Sequence, residues 1–236
     1  MTKSSPSPAR FEDPLTLFSR AGTKLHSLWL RAMYPFAAAG KKLSIHFTCR
    51  LSRKAAHQMR IGNSVIIRKD AWLNIPVEAG AAGVKIIIED NCLIGARNLI
   101  SARNLIHIER DVMMGTSVLI QDHHHAYEDV LVPIRDQGCT PGGRIRIEQG
   151  CWIGQGAAIV CNEGELVIGR NSVVGSNALV TRSFPPNSVL VGNPARLARQ
   201  FNSIKGVWVG GEGGRASVSA NGDERLSPSA QSRVAG

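Results

Sequence analysis

Aliphatic side chains recur at every sixth residue through the middle of this chain. Ile61 is followed by Ile67; Ile88, Ile94 and Ile100 form a further run, and Ile108, Met114 and Ile120 resume it after a two-residue slip. Ile147, Ile153 and Ile159, then Ile168, Val174 and Val180, carry it on. The second place of each unit is usually Gly or Glu, as at Gly62, Glu89, Gly95 and Glu109, and the fifth is usually small, as at Val65, Cys92, Val112 and Ala157. A period of six is neither helical nor the simple alternation of a half-buried strand. It suits a short strand and a corner, with three such units closing a triangular coil. Stacked coils then bury a ladder of Ile and Val, the small fifth residue sits inside the corner, and Gly permits the tight backbone there. Ahead of the repeat, the pattern from Leu25 to Phe36 is amphipathic. It predicts one helix over 22–37, ended near Pro35, packed on the open end of the stack.

The chain has 236 residues, of which 43% are hydrophobic and 19% charged, which is enough for one sizeable core and excludes a disordered or fibrous chain. Aromatics are only 5%, a deficit the aliphatic ladder explains. No apolar run approaches the roughly 20 residues that span a bilayer, and no secretory signal is evident at the start, so a soluble cytoplasmic protein is expected. The net charge of +10 is concentrated at one end: residues 1–60 carry eleven Lys and Arg against Glu12 and Asp13. A nucleic-acid groove needs a basic folded face with aromatics for stacking, so no nucleic-acid partner is expected. The basic N-terminus beside an amphipathic helix does suit peripheral contact with anionic lipid, at the inner face of the membrane. The five cysteines form no CxxC pair, which argues against a disulfide framework or a Cys-rich zinc site. The chain therefore divides into a disordered basic arm (1–20), a helical capping segment (21–60), a coil domain (61–200) and a disordered tail (206–236).

Interruptions of a repeat are natural sites for function, because rigid coils position the loops between them. The breaks fall at 74–85, at 126–146 and at 162–164, and the middle one opens with Gln121-Asp122-His123-His124-His125. Three adjacent histidines on an extended segment diverge, whereas a metal needs converging ligands, so no metal site is assigned. An imidazole near neutral pKa is better suited to take and return a hydroxyl proton. If the hexad register persists past Ile120, His124 points inward and His123 and His125 point out.

These hexads resemble those of the hexapeptide-repeat acyltransferases. The Asp122-His-His-His125 segment is similar to the Asp-His-x-His motif of the bacterial polysaccharide and sugar O-acetyltransferases within that family. The resemblance implies an all-β fold, a left-handed parallel β-helix with a short N-terminal helix. It implies acetyl-CoA as co-substrate with no tightly bound cofactor. The acceptor would be a carbohydrate hydroxyl of an exopolysaccharide, a lipopolysaccharide or a glycan precursor. It further implies a homotrimer with each site between two subunits. His123 takes the place of the general base, with Asp122 and His125 supporting it. Trp152, in a Trp-Ile-Gly coil, would lie near the pantetheine arm or acceptor. Gln155 and Ser176 match positions lining the pantetheine channel, Thr181 and Arg182 match coenzyme contacts, and Arg196 and Arg199 match residues that meet its phosphates. The Asn162–Gly164 insertion replaces the family's short Pro-Gly corner and would sit beside that channel. A zinc-dependent hydratase of the carbonic anhydrase type and a non-catalytic scaffold are the alternatives.

Overall fold

The computed structural model describes residues 14–80 and 82–211. The expected disordered arm and tail bear largely on residues 1–13 and 212–236, which lie outside the described residues.

Three parallel sheets form the walls of a triangular prism. Sheet A holds β1 (Ala38–Ala39), β4 (Met59–Ile61), β7 (Ile86–Ile88), β10 (Leu105–Ile108), β13 (Arg144–Ile147) and β16 (Glu165–Ile168). Sheet B begins with β2 (Ser44–Ile45), β5 (Ile66–Ile67), β8 (Leu93–Ile94), β11 (Met113–Met114), β14 (Trp152–Ile153), β17 (Val173–Val174) and β19 (Ser188–Val191). Sheet C holds β3 (Arg50–Leu51), β6 (Trp72–Asn74), β9 (Leu99–Ser101), β12 (Leu119–Gln121), β15 (Ala158–Val160) and β18 (Leu179–Val180). The chain passes A to B to C in every coil, so each strand pairs with its equivalent one coil away. An antiparallel hairpin, β20 (Arg196–Asn202) and β21 (Val207–Gly210), extends sheet B beyond the last coil.

The six-residue period is the register of this stack. Ile61, Ile88, Ile108, Ile147 and Ile168 are cross-strand partners in sheet A, all fully buried. Ile67, Ile94, Met114, Ile153 and Val174 do the same in sheet B, and Ile100, Ile120, Ile159 and Val180 in sheet C. Burying one such side chain contributes about 1.5–3 kcal/mol, and the ladder repeats that gain at each level. The corners adopt the left-handed backbone region, where Asn and Asp are tolerated best: φ is +61° at Asn91, +62° at Asp111 and +58° at Asn177.

Several boundaries differ from expectation. The coils begin at Ala38, one turn before residue 61; Ala39, Ile45 and Leu51 already keep the six-residue spacing. The helix α1 runs Pro14–Met33 rather than 22–37, so residues 14–20 of the expected arm are helical. Proline is well suited to open a helix, because its missing N–H would be unpaired there anyway. The helix does pack on the end of the stack: Ser27 Oγ accepts the Ile45 N–H at 2.8 Å, satisfying a donor on strand β2. The loop expected at 126–146 occupies 122–143, because Arg144 already pairs in sheet A. At the other end, residues 207–210 of the expected tail form β21.

Candidate active site

The hexad register breaks one residue after β12, and the side chain at that position organises the whole loop. The Asp122 carboxylate is fully buried and takes the inward corner position. Its Oδ1 accepts the Arg103 N–H at 2.7 Å, and its Oδ2 accepts those of Asn104 at 2.8 Å and Leu105 at 2.9 Å. Arg103 and Asn104 form the corner after β9, and Leu105 opens β10. A buried carboxylate needs this many donors to offset its desolvation.

The same Oδ1 lies 2.9 Å from Nδ1 of His123, which is only 5% exposed. An ionised carboxylate is an acceptor only, so the imidazole carries its proton on Nδ1 and leaves Nε2 with its lone pair free. Nε2 has no hydrogen-bond partner among the described residues. The expectation that His124 turns inward and His123 outward is thereby corrected. Asp122 fills the corner, His123 packs beside it, His124 is half-buried against Tyr127, and His125 is exposed.

The loop is held in place from both ends. Asn104 Nδ2 donates to the carbonyls of Pro141 at 2.8 Å and Gly143 at 3.1 Å, tying the returning strand to the coil beneath. Thr140 N–H donates to the His124 carbonyl, and Gly143 N–H to that of Asp122. Gly142 has φ of +77°, and a Cβ there would lie 2.5 Å from the Asp122 carbonyl oxygen and 3.2 Å from His123 Cβ, so only glycine fits. A cleft of about 290 Å³ opens in front of these residues, walled by His123, His125, Cys139, Trp72 and Ser101. Asn104, Ser101 and Trp72 were not among the residues singled out from sequence. The doubled Ala-Arg-Asn-Leu-Ile at 96–100 and 102–106 was the available signal: Asn98 accepts the Val118 N–H within the stack, whereas Asn104 has become the staple of the loop.

The residues matched to coenzyme contacts lie on two different edges of the prism. Gln155 and Ser176 are exposed at the B–C edge, one coil apart; the Asn177 N–H donates to the Gln155 carbonyl. Arg196 opens β20, paired with Val191 in sheet B near that edge, and Arg199 lies on the same strand, so both sit on a hairpin. Thr181 and Arg182 follow β18 on the C–A edge, two coils beyond the histidine loop, with the Arg182 guanidinium 5.0 Å from the Phe184 ring. Trp152 stands on the outer face of sheet B, half exposed. One chain therefore separates His123 from Gln155 and Ser176 by the width of sheet C, about 10 Å of strand. The Asn162–Gly164 insertion lies on the C–A edge, where Arg144 N–H donates to the Gly164 carbonyl; it supports the histidine loop and does not border Gln155 or Ser176.

Among the described residues, no group of three or more His, Cys, Asp or Glu side chains is gathered as a metal would require. His107, on β10, is turned away from the histidine loop, with its Nε2 2.8 Å from Glu89 Oε1.

Known proteins share both the repeat and the architecture. The hexapeptide repeat of succinyl-transferase matches residues 85–102 and 144–182, which span β7–β9 and β13–β18. A probable acetyltransferase of Mycobacterium tuberculosis is 30% identical over 160 residues, covering 68% of this chain and 48% of the relative. WbbJ of Escherichia coli, assigned to O-acetyl transfer in lipopolysaccharide biosynthesis, is 27% identical over 142 residues, covering 58% of this chain and 70% of the relative. The chain spans about half the length of the first of these. The crystal structure of a variant of AntD, an N-acyltransferase from Bacillus cereus, in complex with dTDP and coenzyme A, has the same fold. Its TM-score is 0.59 at 19% identity, over 72% of this chain and 87% of that one. The chain carries the hexapeptide repeat, and both of these relatives are described as acetyltransferases.

Proposed function

We propose that this protein is an acetyl-CoA-dependent O-acetyltransferase acting on a carbohydrate hydroxyl, with His123 as general base on a left-handed β-helix. The Asp122–His123 pair carries the reading. A carboxylate locked by three backbone donors fixes the imidazole tautomer, and the free Nε2 belongs to a residue that walls the cleft. In the reaction Nε2 takes the hydroxyl proton while the oxygen attacks the thioester carbonyl. The C–O bond forms, the tetrahedral intermediate collapses, and the C–S bond breaks. The imidazolium returns its proton to the departing thiolate, so ester and free thiol leave and the base is restored. Asp122 stabilises the transient imidazolium and holds the ring in place. Backbone N–H donors of the loop would serve the oxyanion.

Trp152, Gln155, Ser176, Thr181, Arg182, Arg196 and Arg199 are proposed to bind the coenzyme, the arginines at its phosphates. Their division between two edges supports a homotrimer in which the histidine edge of one copy meets the B–C edge of the next. The outer faces agree with this. Sheet B presents Leu93, Met113, Trp152 and Val173 in register, and sheet C presents Trp72, Leu99, Leu119 and Leu179. Sheet A is more mixed, with Arg60, His107 and Arg146 in register beside Ile87 and Val167. A monomer in sedimentation equilibrium would remove the shared site. The likeness to WbbJ supports a bacterial surface glycan or its precursor as acceptor, and acetyl-CoA as donor supports a reaction in the cytoplasm.

Thermal unfolding with acetyl-CoA tests the donor half. A ligand at a hundredfold excess over its Kd stabilises the folded state by about 2.7 kcal/mol. A clear upward shift of Tm is expected, reduced in Arg196→Ala. No shift at any accessible concentration would sink the transferase reading.

A further inference from the structure

A second and much larger concavity, about 1,230 Å³, lies between α1 and the first coils. Its floor is the outer face of sheet B at Ser44 and Ile66, and its walls carry Lys24, Lys42, Arg68, Lys69 and Arg97. Among the described residues no Asp or Glu lines it, and none of these five cations takes part in an ion pair. Desolvation holds His46, also in the wall, below its ordinary pKa, so the charge at neutral pH comes from lysine and arginine. Five like charges around one groove repel one another and raise the local concentration of anions. Lysine and arginine together suit phosphate oxygens, the guanidinium by paired donors. Among the described residues the lining contains no Phe, Tyr or Trp on which a nucleobase could stack, which disfavours a nucleotide.

The helix beside the groove is turned the wrong way round for a soluble protein. Its inward side is Thr23, Ser27 and Leu30, while Phe18 is 78% exposed and Leu25 70%, with Leu28, Trp29 and Met33 exposed as well. At 3.6 residues per turn these side chains share one continuous stripe, and Arg20, Lys24 and Arg31 run along one border of it. Apolar residues facing out beside a basic flank are the pattern of a helix lying in the surface of an anionic bilayer. No helix among the described residues is long and apolar enough to cross a membrane. We propose that the groove binds the phosphate or diphosphate of a lipid-borne acceptor, with the apolar stripe of α1 seated in the adjoining lipid. The inference rests on the transferase reading in one respect: the groove reaches the B–C edge at Arg97 and Thr116, and Gln155 continues that edge. Arg97 N–H donates to the Lys69 carbonyl and Gly156 N–H to that of Thr116, so successive coils carry the line from phosphate groove to donor residues.

The experiment uses the full chain and two exposed double variants, Arg68→Glu with Lys69→Glu in the groove and Leu25→Ser with Trp29→Ser on the helix. Flotation with vesicles of phosphatidylcholine, alone or mixed with phosphatidylglycerol, reads lipid binding; thermal shift with inorganic pyrophosphate reads a soluble phosphate. The wild type should float only with the anionic vesicles, and each variant should lose about tenfold or more in binding. Failure of the wild type to float, or equal flotation of the groove variant, would overturn the proposal. A pyrophosphate shift without flotation would replace the lipid carrier by a soluble one. A change of oligomeric state in the helix variant, with flotation intact, would make the stripe a subunit contact instead. Each variant is also tested for the acetyl-CoA shift, so failure at the groove is separable from failure at the donor site.

Discussion

Asp122 does two things with one carboxylate, and they can be pulled apart. Two oxygens accept three backbone N–H groups from residues 103–105 and one from the His123 ring. In Asp122→Asn one oxygen becomes an NH₂ that faces donors, so at least one buried N–H is orphaned at a cost of about 1–3 kcal/mol. The amide also no longer dictates which ring nitrogen keeps the proton. His123→Ala leaves the three backbone bonds in place and removes only the base. Both variants should lose roughly 10²–10⁴ in kcat, the usual worth of a positioned general base, but only Asp122→Asn should show a large fall in Tm. Steady-state kinetics on folded enzyme, with circular dichroism melts alongside, check this. Full turnover in His123→Ala would remove the mechanism.

At the scale of elements, the strands were legible because the core is a ladder of one residue type in one register, and each Ile of the period is buried where the spacing places it. The first coil was harder to see. It keeps the spacing through Ala39, Ile45 and Leu51, but Ala39 and Leu51 are only partly buried, and seven residues intervene before β4. The histidine loop was legible as a break and as a cluster of chemistry, while its geometry was not. Periodicity extrapolates hydrophobic burial, and past Gln121 the inward place is decided by three backbone N–H groups that only the assembled corner reveals. The pairing of loop to coil through Asn104 is equally non-local. One consequence concerns Cys139, which lines the cleft and forms a β-bridge with His125. Direct transfer from thioester to hydroxyl needs no thiol. Cys139→Ser should therefore keep kcat within about threefold, whereas an acyl-enzyme route through this sulfur would lose a factor nearer the 10²–10⁴ of a removed catalytic group. Mass spectrometry after mixing with acetyl-CoA alone should find no acetylated protein.

The whole molecule is a stack in which every coil supports the next, so groups buried at successive corners act on a single cooperative unit. Cys92 and Cys151 occupy the small fifth place of their hexads, and burial pushes both thiols up to about 11 from an ordinary 9.0. A folded-state pKa above the unfolded value makes stability fully present below pH 9 and progressively lost as pH rises through 11. The unfolded chain releases these protons first, so alkali pulls the equilibrium toward it. Each sulfur also donates to a carbonyl of the next coil, Cys92 to Glu109 at 3.1 Å and Cys151 to Gly169 at 3.3 Å, an arrangement the thiolate would abolish. Alanine is already accepted at equivalent corners, at Ala71, Ala157 and Ala178, all buried. The double variant Cys92→Ala with Cys151→Ala should therefore fold, with a Tm near that of the wild type at neutral pH. Between pH 9 and 11 its Tm should fall less steeply than the wild type's. Parallel pH profiles of Tm would show the thiols irrelevant to alkaline stability, and lysine and tyrosine ionisation would then have to account for the loss.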